Sequence, residues 1–124
     1  MDELVQEYYD TMYETYVSAA KLYELSMGEY VKQFYSMELE EFQKELKGTM
    51  VDLVKEQLVL EAIIKEEKLK LSSERYDTYL AQYMEDYGYT DKSAFIEYYG
   101  ADAVEESMLY DYAIDFIVDN AVAE

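Results

Sequence analysis

The chain has 124 residues, the usual length of a single domain, and a strongly acidic composition. Twenty-nine Asp and Glu residues outnumber ten Lys and Arg residues, which gives a formal net charge of -19. Such a surface repels phosphate backbones and anionic lipids, so neither nucleic acid nor a membrane is an expected partner. The chain also lacks Cys and His, which excludes thiol- and imidazole-dependent catalysis and makes a metal site or a cofactor unexpected.

The sequence predicts an all-α fold of about six helices, because it contains no Pro and only four Gly. The expected helices cover residues 1–25, 26–35, 37–68, 72–88, 90–100 and 101–121. Their predicted first residues or caps are Ser26 (in a capping box with Glu29), Ser36, Ser72 or Ser73, and Thr90. Gly88 and Gly100 are expected to end the fourth and fifth helices.

The third predicted helix is long and unusually apolar where it reads "KEQLVLEAIIKEEKLKL". Thirty-odd residues span about 45 to 50 Å, whereas a compact globule of this chain length is roughly 35 Å across. We therefore expect an elongated domain in which this helix forms a projecting arm. Its apolar centre is expected to pack on the fourth and sixth helices, with Val59 and Ile63 facing one side and Leu60 and Ile64 the other.

Candidate chemical sites are weak. Residues 86–97 have the length of a calcium-binding loop, but Gly88 and Thr90 stand at ligand positions and Asp91 replaces the turn glycine. The sixth helix carries an i, i+4 acidic stripe, which we expect to be a solvated face: Asp111, Asp115 and Asp119. Nothing distinguishes a pair of carboxylates suited to acid-base work, so the sequence does not predict an enzyme.

Tyrosine is the most over-represented residue type, with 16 Tyr, seven Met and no Trp. Amphipathic rings and flexible thioethers are typical of adaptable contact surfaces. Apolar side chains cover about half of the first helix, which is wider than the ~100° stripe of a helix packed on one side. The candidate binding residues on the first two helices are Tyr8, Tyr9, Met12, Tyr16, Tyr23, Met27, Tyr30 and Phe34.

Three segments of the sequence form a recognisable pattern: "VKEQLVLEAIIKEEKLKLSSERYDTYLAQYMEDYG", "FIEYYG" and "YAIDFIVDNA". They resemble the C-terminal part of the trigger factor family of bacterial ribosome-associated chaperones, and a weaker similarity extends back to Ala19. The resemblance implies one helical domain over residues 1–124, with arms lining an apolar cradle that binds unfolded or nascent polypeptides without ATP. The acidic N-terminus lacks the features of a signal peptide, so a cytoplasmic location is expected.

The sequence departs from the full family pattern in two ways. It has no counterpart of the Gly-Phe-Arg ribosome-binding motif and none of the prolyl isomerase domain, so this chain alone is not expected to bind ribosomes or isomerise proline. We expect either an excised fragment or a stand-alone relative, with apolar surface free for clients or for a homodimer. Two functions remain open: an ATP-independent holdase-type chaperone module, and a helical scaffold or dimerisation module with one fixed protein partner.

The charge imbalance generates a prediction about salt. Repulsion among carboxylates destabilises the compact state, and added ions screen it. We expect the melting temperature, followed by circular dichroism, to rise between low and moderate sodium chloride concentrations. A flat or falling melting temperature would mean that the negative charges are already compensated within the fold.

Overall fold

The computed structural model describes residues 1–123 and contains six α-helices, with no strand in that range. The helices are α1 (Asp2–Leu22), α2 (Met27–Tyr35), α3 (Leu39–Glu66), α4 (Ser73–Tyr87), α5 (Lys92–Tyr99) and α6 (Ala101–Ala123). This confirms the all-α prediction and the number of helices. No described helix has an apolar segment long enough to cross a bilayer.

The chain divides into two compact units, and the division falls within α3. The first unit covers residues 1–56 and the second begins at Gln57. At 28 residues, α3 is about 42 Å long, close to the length expected from the sequence. Each unit has its own buried residues, which are described in turn below.

Two serine caps predicted from the sequence are present. The Glu29 backbone N–H donates to the Ser26 hydroxyl at 3.3 Å, and the Ser26 N–H donates to the Glu29 carboxylate at 3.2 Å. Hydrogen bonds from the Ser26 side chain and backbone hold the pKa of the Glu29 carboxyl below its usual value. At α4, the Arg75 N–H donates to the Ser72 hydroxyl at 3.1 Å. Both helices therefore start where local capping chemistry places them.

Two other predicted caps are wrong. Ser36 does not start α3: it ends α2 in the left-handed conformation, with a φ of 55°. An N-cap residue instead needs an extended backbone, and α3 begins later, at Leu39. The cap of α5 is Asp91 rather than Thr90, because the Asp91 carboxylate accepts from the Ser93 N–H at 2.9 Å.

The first unit is built on one face of α3. This face repeats every four residues, as a buried helical stripe does. The buried cluster consists of Val5, Val31, Phe42, Leu46, Met50 and Val54. Tyrosines of α1 pack partly buried against it, so their rings extend the core towards the surface: Tyr8, Tyr9, Tyr13 and Tyr16.

The second unit has two buried clusters. One joins α4, α5 and α6 through Leu80, Phe95, Val104 and Met108. The other joins the end of α3 to α6 through Leu60, Leu69 and Ala113. Met108 and Ala113 have no exposed surface, so α6 supplies the most deeply buried side chains of this unit.

The apolar centre of α3 is only partly covered. Leu60 is buried, and Ile63 and Ile64 pack against the same cluster as Ala113 of α6. Contact with α6 was predicted, but the placement of Ile63 on a different side from Leu60 and Ile64 is wrong. Val59, however, is 55% exposed, so its predicted burial is wrong. No residue of α4 belongs to this cluster among the described residues. Because α6 covers only one side of this part of α3, Val59, which lies about 100° around the helix from Leu60, is left exposed.

Tyrosine hydroxyls connect α4 to the acidic stripe of α6. Tyr79 donates to the Asp115 carboxylate at 2.6 Å, and Tyr83 donates to Asp111. The predicted solvated stripe is therefore wrong only for Asp111, which is partly buried, whereas Asp115 and Asp119 are exposed. The neutral tyrosine hydroxyls of α4 thus bind the carboxylates of α6 without any positive charge.

The same type of bond joins α6 to α3. The Tyr110 hydroxyl lies 2.9 Å from a Glu61 oxygen and 3.1 Å from a Glu106 oxygen. Burial, followed by these two carboxylates, raises the pKa of Tyr110, and burial, followed by Asp111, raises that of Tyr83. Both hydroxyls therefore keep their protons, and so act as donors, well above neutral pH.

The exposure difference between neighbouring residues of α3 generates a stability prediction. We expect Leu60→Ala to lower the free energy of unfolding by about 2 to 4 kcal/mol, because it removes buried apolar surface and leaves a cavity. The matched control Val59→Ala should change it by less than about 0.5 kcal/mol. Urea unfolding followed by circular dichroism measures both. Equal losses in the two variants would contradict the assignment of Leu60 to the core.

The Tyr83 bond generates a prediction about alkaline pH. Because the native-state pKa of Tyr83 is raised above the unfolded value of about 10, its stabilisation is complete below pH ~10 and is lost as pH rises further. Tyr83→Phe should lower stability at pH 7 by about 1 kcal/mol and make the alkaline loss shallower. Melting temperatures between pH 7 and 12 test this, with Tyr23→Phe in the other unit as the control. A parallel pH dependence in Tyr83→Phe and the parent would contradict the prediction.

Candidate functional site

An apolar groove of about 310 Å³ lies in the first unit. We call it the Met12 groove. It is lined by Met12 and Tyr16 of α1, Tyr35 at the end of α2, Met37 in the following segment, and Phe42, Glu45, Leu46, Thr49 and Met50 of α3. Three methionines and three aromatic rings in one groove give a lining that is both apolar and adaptable in shape.

Aromatic contacts fix the walls of the Met12 groove. The edge of the Tyr16 ring meets Phe42 at 5.0 Å between centroids and Tyr35 at 6.1 Å. Tyr35 and Phe42 are themselves 5.8 Å apart. Burial and the neighbouring Tyr30 raise the pKa of Tyr35, so its hydroxyl stays neutral. The aromatic part of the groove wall is therefore uncharged, although Glu45 also lines the groove.

The methionines occupy different depths of the groove. Met50 is 4% exposed and belongs to the core cluster, whereas Met12 is 38% exposed. Met37 packs against the core just after the left-handed turn at Ser36. The turn that ends α2 thus places a flexible side chain between α2 and α3, and Met12 is the lining methionine most accessible to another molecule.

A second aromatic group lies at the junction of α1 and α2. We call it the Phe34 cluster; the centroid of Phe34 lies 4.9 Å from that of Tyr23 and 4.8 Å from that of Tyr30. Tyr23 is 58% and Phe34 is 45% exposed, whereas Tyr30 is buried. The neighbouring Leu22 is 85% exposed. This cluster therefore presents large apolar side chains to solvent.

The eight predicted binding residues divide into three groups. Met12 and Tyr16 line the Met12 groove. Tyr23, Tyr30 and Phe34 form the Phe34 cluster, within which Tyr30 is the buried member. Tyr8, Tyr9 and Met27 are partly buried against the core. Contact of these residues with a client stays a prediction.

Sequence inspection missed the other groove residues: Tyr35, Met37, Phe42, Glu45, Leu46, Thr49 and Met50. Phe42 and Met50 follow the helical repeat of a core stripe, so their periodicity carries no sign of a groove. Their role follows from tertiary packing against α1. A local signal was present only at Tyr35 and Met37, which flank the residue that ends α2.

A third aromatic group, in the second unit, was also missed. We call it the Tyr99 surface, and it consists of Tyr87, Tyr89, Phe95, Tyr98 and Tyr99. The doublet of Tyr98 and Tyr99 was an available signal. Adjacent residues of a helix point about 100° apart, so a narrow packing face does not bury both rings.

No catalytic or metal-binding arrangement accompanies these surfaces in the described part of the chain. Residues 1–123 contain no group of three or more Asp and Glu side chains placed to hold a metal ion. They also contain no fully buried charged or polar side chain.

The fold and these surfaces define an all-α protein with exposed apolar surfaces that are rich in tyrosine and methionine. The family model for the bacterial trigger factor protein C-terminus matches residues 2–119, so the chain belongs to this family. Membership implies a chaperone-related role, and the match includes α1, beyond the resemblance visible in the sequence. No curated protein and no solved structure matches the chain.

Proposed function

We propose that this chain is an ATP-independent, holdase-type chaperone module that binds exposed apolar segments of unfolded or nascent polypeptides. The observation that supports the proposal best is the Met12 groove, with its rim methionine and its wall of neutral rings. The family membership supports the same role. We further propose that residues 1–124 act as one domain in the cytoplasm.

The chemistry of the groove favours varied clients over a single ligand. Methionine side chains are unbranched and polarisable, so they fit apolar groups of different shapes. Aromatic walls add contact area at a small cost in conformational entropy. Binding surfaces of this type repack around different partners, which is the property of a promiscuous binder.

The size of the groove favours weak and reversible contact. A volume of about 310 Å³ is at the lower end for ligand pockets, so it accommodates a few side chains of an extended segment. Such limited contact gives affinities on the order of micromolar, because association also costs translational and side-chain entropy. Release then needs no ATP.

A scaffold with one fixed partner, or a homodimer, is the second candidate function. It is favoured by an exposed apolar stripe on α6, where Ile114, Ile117 and Val118 are 39%, 41% and 53% exposed. Their i, i+3, i+4 spacing places them on one face of the helix. A fixed partner would cover this face permanently, whereas a holdase leaves its surface available.

The packing of α1 determines which substitution tests client binding without disturbing the fold. Tyr16 touches Phe42 of the core, and Tyr9 stacks on Tyr13 at 5.6 Å. Replacing either tyrosine by Ser would disturb folding as well as binding. Met12 is more exposed, and Gln is a good helix former of similar length, so Met12→Gln changes the groove and preserves the helix. Leu22→Gln on the same helix lies outside the groove and is the matched control.

We expect the parent chain to delay aggregation of a urea-unfolded client protein at near-stoichiometric ratios, without ATP. Met12→Gln should weaken client binding about fivefold, which corresponds to roughly 1 kcal/mol of lost apolar contact. Light scattering measures the delay, and anisotropy of a labelled client measures affinity. Leu22→Gln should behave like the parent.

Two results would contradict this proposal. If a tenfold excess of the parent does not delay aggregation, the fixed-partner scaffold is favoured. If Met12→Gln and Leu22→Gln reduce binding equally while both stay folded, the Met12 groove is not the client site. The mass of the parent in solution identifies a homodimer independently.

A further inference from the structure

Tyrosine is the residue type of this chain that loses a single electron most readily. One-electron oxidants attack thiols, indoles and phenols in preference to other side chains. The chain has no Cys and no Trp but 16 Tyr. The products of one-electron oxidation therefore form on tyrosine, and the spacing of the tyrosine rings determines which products can form.

Two tyrosines of the Tyr99 surface come from different helices and lie in contact. Tyr87 is the last residue of α4, and Tyr99 is the last residue of α5. Their ring centroids are 5.6 Å apart, and the ring planes are tilted by 40°. The two side chains are 62% and 39% exposed. A pair of neighbouring phenols is therefore accessible to an oxidant in solution.

A buried ring that cannot form a phenoxyl radical supports the pair. Phe95 is 2% exposed, and its centroid lies 6.4 Å from that of Tyr87 and 4.9 Å from that of Tyr99. Phenylalanine has no hydroxyl hydrogen to lose. Phe95 thus positions the two phenols next to each other without competing with them for oxidation.

Both tyrosines stand at helix ends, where side chains reorient more easily than between packed helices. Gly88 follows Tyr87 and has a φ of 75°. Gly100 follows Tyr99 and has a φ of 88°. By contrast, Tyr83 in the interior of α4 is held by a hydrogen bond to α6. The rings of the Tyr87–Tyr99 pair can therefore turn edge to edge, as carbon–carbon coupling requires.

Other close tyrosine pairs of this surface have less suitable geometry. Tyr98 and Tyr99 are 4.8 Å apart, but their planes meet at 76°. Tyr89 lies 6.1 Å from Tyr99, with the planes at 69°. A nearly perpendicular arrangement directs the edge of one ring at the face of the other. The smaller tilt between Tyr87 and Tyr99 brings their edges closer to the orientation in which two rings join.

We propose that one-electron oxidation joins Tyr87 to Tyr99 as dityrosine, a carbon–carbon bond between two tyrosine rings. Each hydroxyl first loses one electron to the oxidant and one proton to water. The two phenoxyl radicals then couple at the carbons ortho to oxygen. The hydrogen on each of these carbons leaves as a proton, and each oxygen regains one. Overall the chain loses two hydrogen atoms, and the oxidant, such as persulfate or a peroxide-activated haem, accepts two electrons.

The cross-link closes a loop between the ends of α4 and α5. A covalent closure over residues 87–99 restricts the unfolded chain in the way that a disulfide of similar loop length does. We expect it to raise the melting temperature of the oxidised chain by about 5 °C. Thiols do not cleave the new bond, so the change is permanent. This modification site shares no residue with the Met12 groove and does not depend on the proposed function.

The sequence allows a direct test, because Lys92 lies between the two tyrosines. Trypsin cuts after Lys92 and gives peptides of residues 76–92 and 93–124. The first contains Tyr87, and the second contains Tyr99. The parent chain is oxidised at micromolar concentration with persulfate and a photoexcited ruthenium complex, and is then digested. We expect a joined peptide, lighter than the sum of the two by two hydrogen atoms, with the blue fluorescence of dityrosine.

Tyr87→Phe and Tyr99→Phe should each lower the yield of the joined peptide about tenfold, because each removes one phenol of a preorganised pair. The matched controls are Tyr76→Phe and Tyr112→Phe, which remove a tyrosine from the same two peptides but outside the Tyr99 surface. Both controls should give the parental yield. Every substitution keeps the aromatic ring, and circular dichroism checks that each variant is folded.

Three results would overturn the proposal. An unchanged yield of joined peptide in folded Tyr87→Phe or Tyr99→Phe would place the coupling at other tyrosines. An equal yield from the parent unfolded in urea would show that the fold does not position the pair. Dityrosine found only in covalent dimers on a denaturing gel would show that the bond forms between molecules.

Discussion

The fold depends on how a chain with 29 carboxylates and ten cations pairs its helices. Salt bridges cannot be the general solution, and the structure uses tyrosine hydroxyls instead. Tyr83 donates to Asp111, and Tyr110 donates to Glu61. A tyrosine buries its ring against a neighbouring helix and presents a neutral donor to a carboxylate at the edge of the contact. The abundance of both residue types thus has one structural origin in the second unit.

The same residue type also makes the surfaces of the protein. A tyrosine at the edge of a core has its ring partly buried and its hydroxyl near solvent. A small difference in packing therefore decides whether the ring contacts a neighbouring helix or is exposed. Tyr16 lies on the core side of this boundary, where it meets Phe42, whereas Tyr98 lies on the solvent side. In this member of the trigger factor C-terminal family, the exposed aromatic surfaces are therefore continuous with the core and supported by it.

Local chemistry made most of the helices predictable from sequence. Ser26, Ser72, Gly88 and Gly100 end or start helices for reasons contained within a few residues. Ser36 was misassigned because a serine suits both an N-cap and, less commonly, a left-handed turn. The surfaces were less predictable, since the exposure of Val59 and the lining of the Met12 groove depend on which neighbouring helix covers each side. Periodicity specifies a face of a helix, but not the element that packs on it.

The position of methionines in the Met12 groove connects this surface to oxidation. Met12 is 38% exposed and Met37 only partly buried, whereas Met50 is enclosed by the core. Oxidants convert an accessible thioether into a polar sulfoxide, a change that methionine sulfoxide reductases reverse. Modification at the rim would place a strong dipole in the proposed client groove, while the enclosed sulfur of Met50 and the fold around it are protected. Met12 and Met37 at the rim of the groove can therefore be oxidised and reduced again, whereas the buried Met50 beneath them is protected.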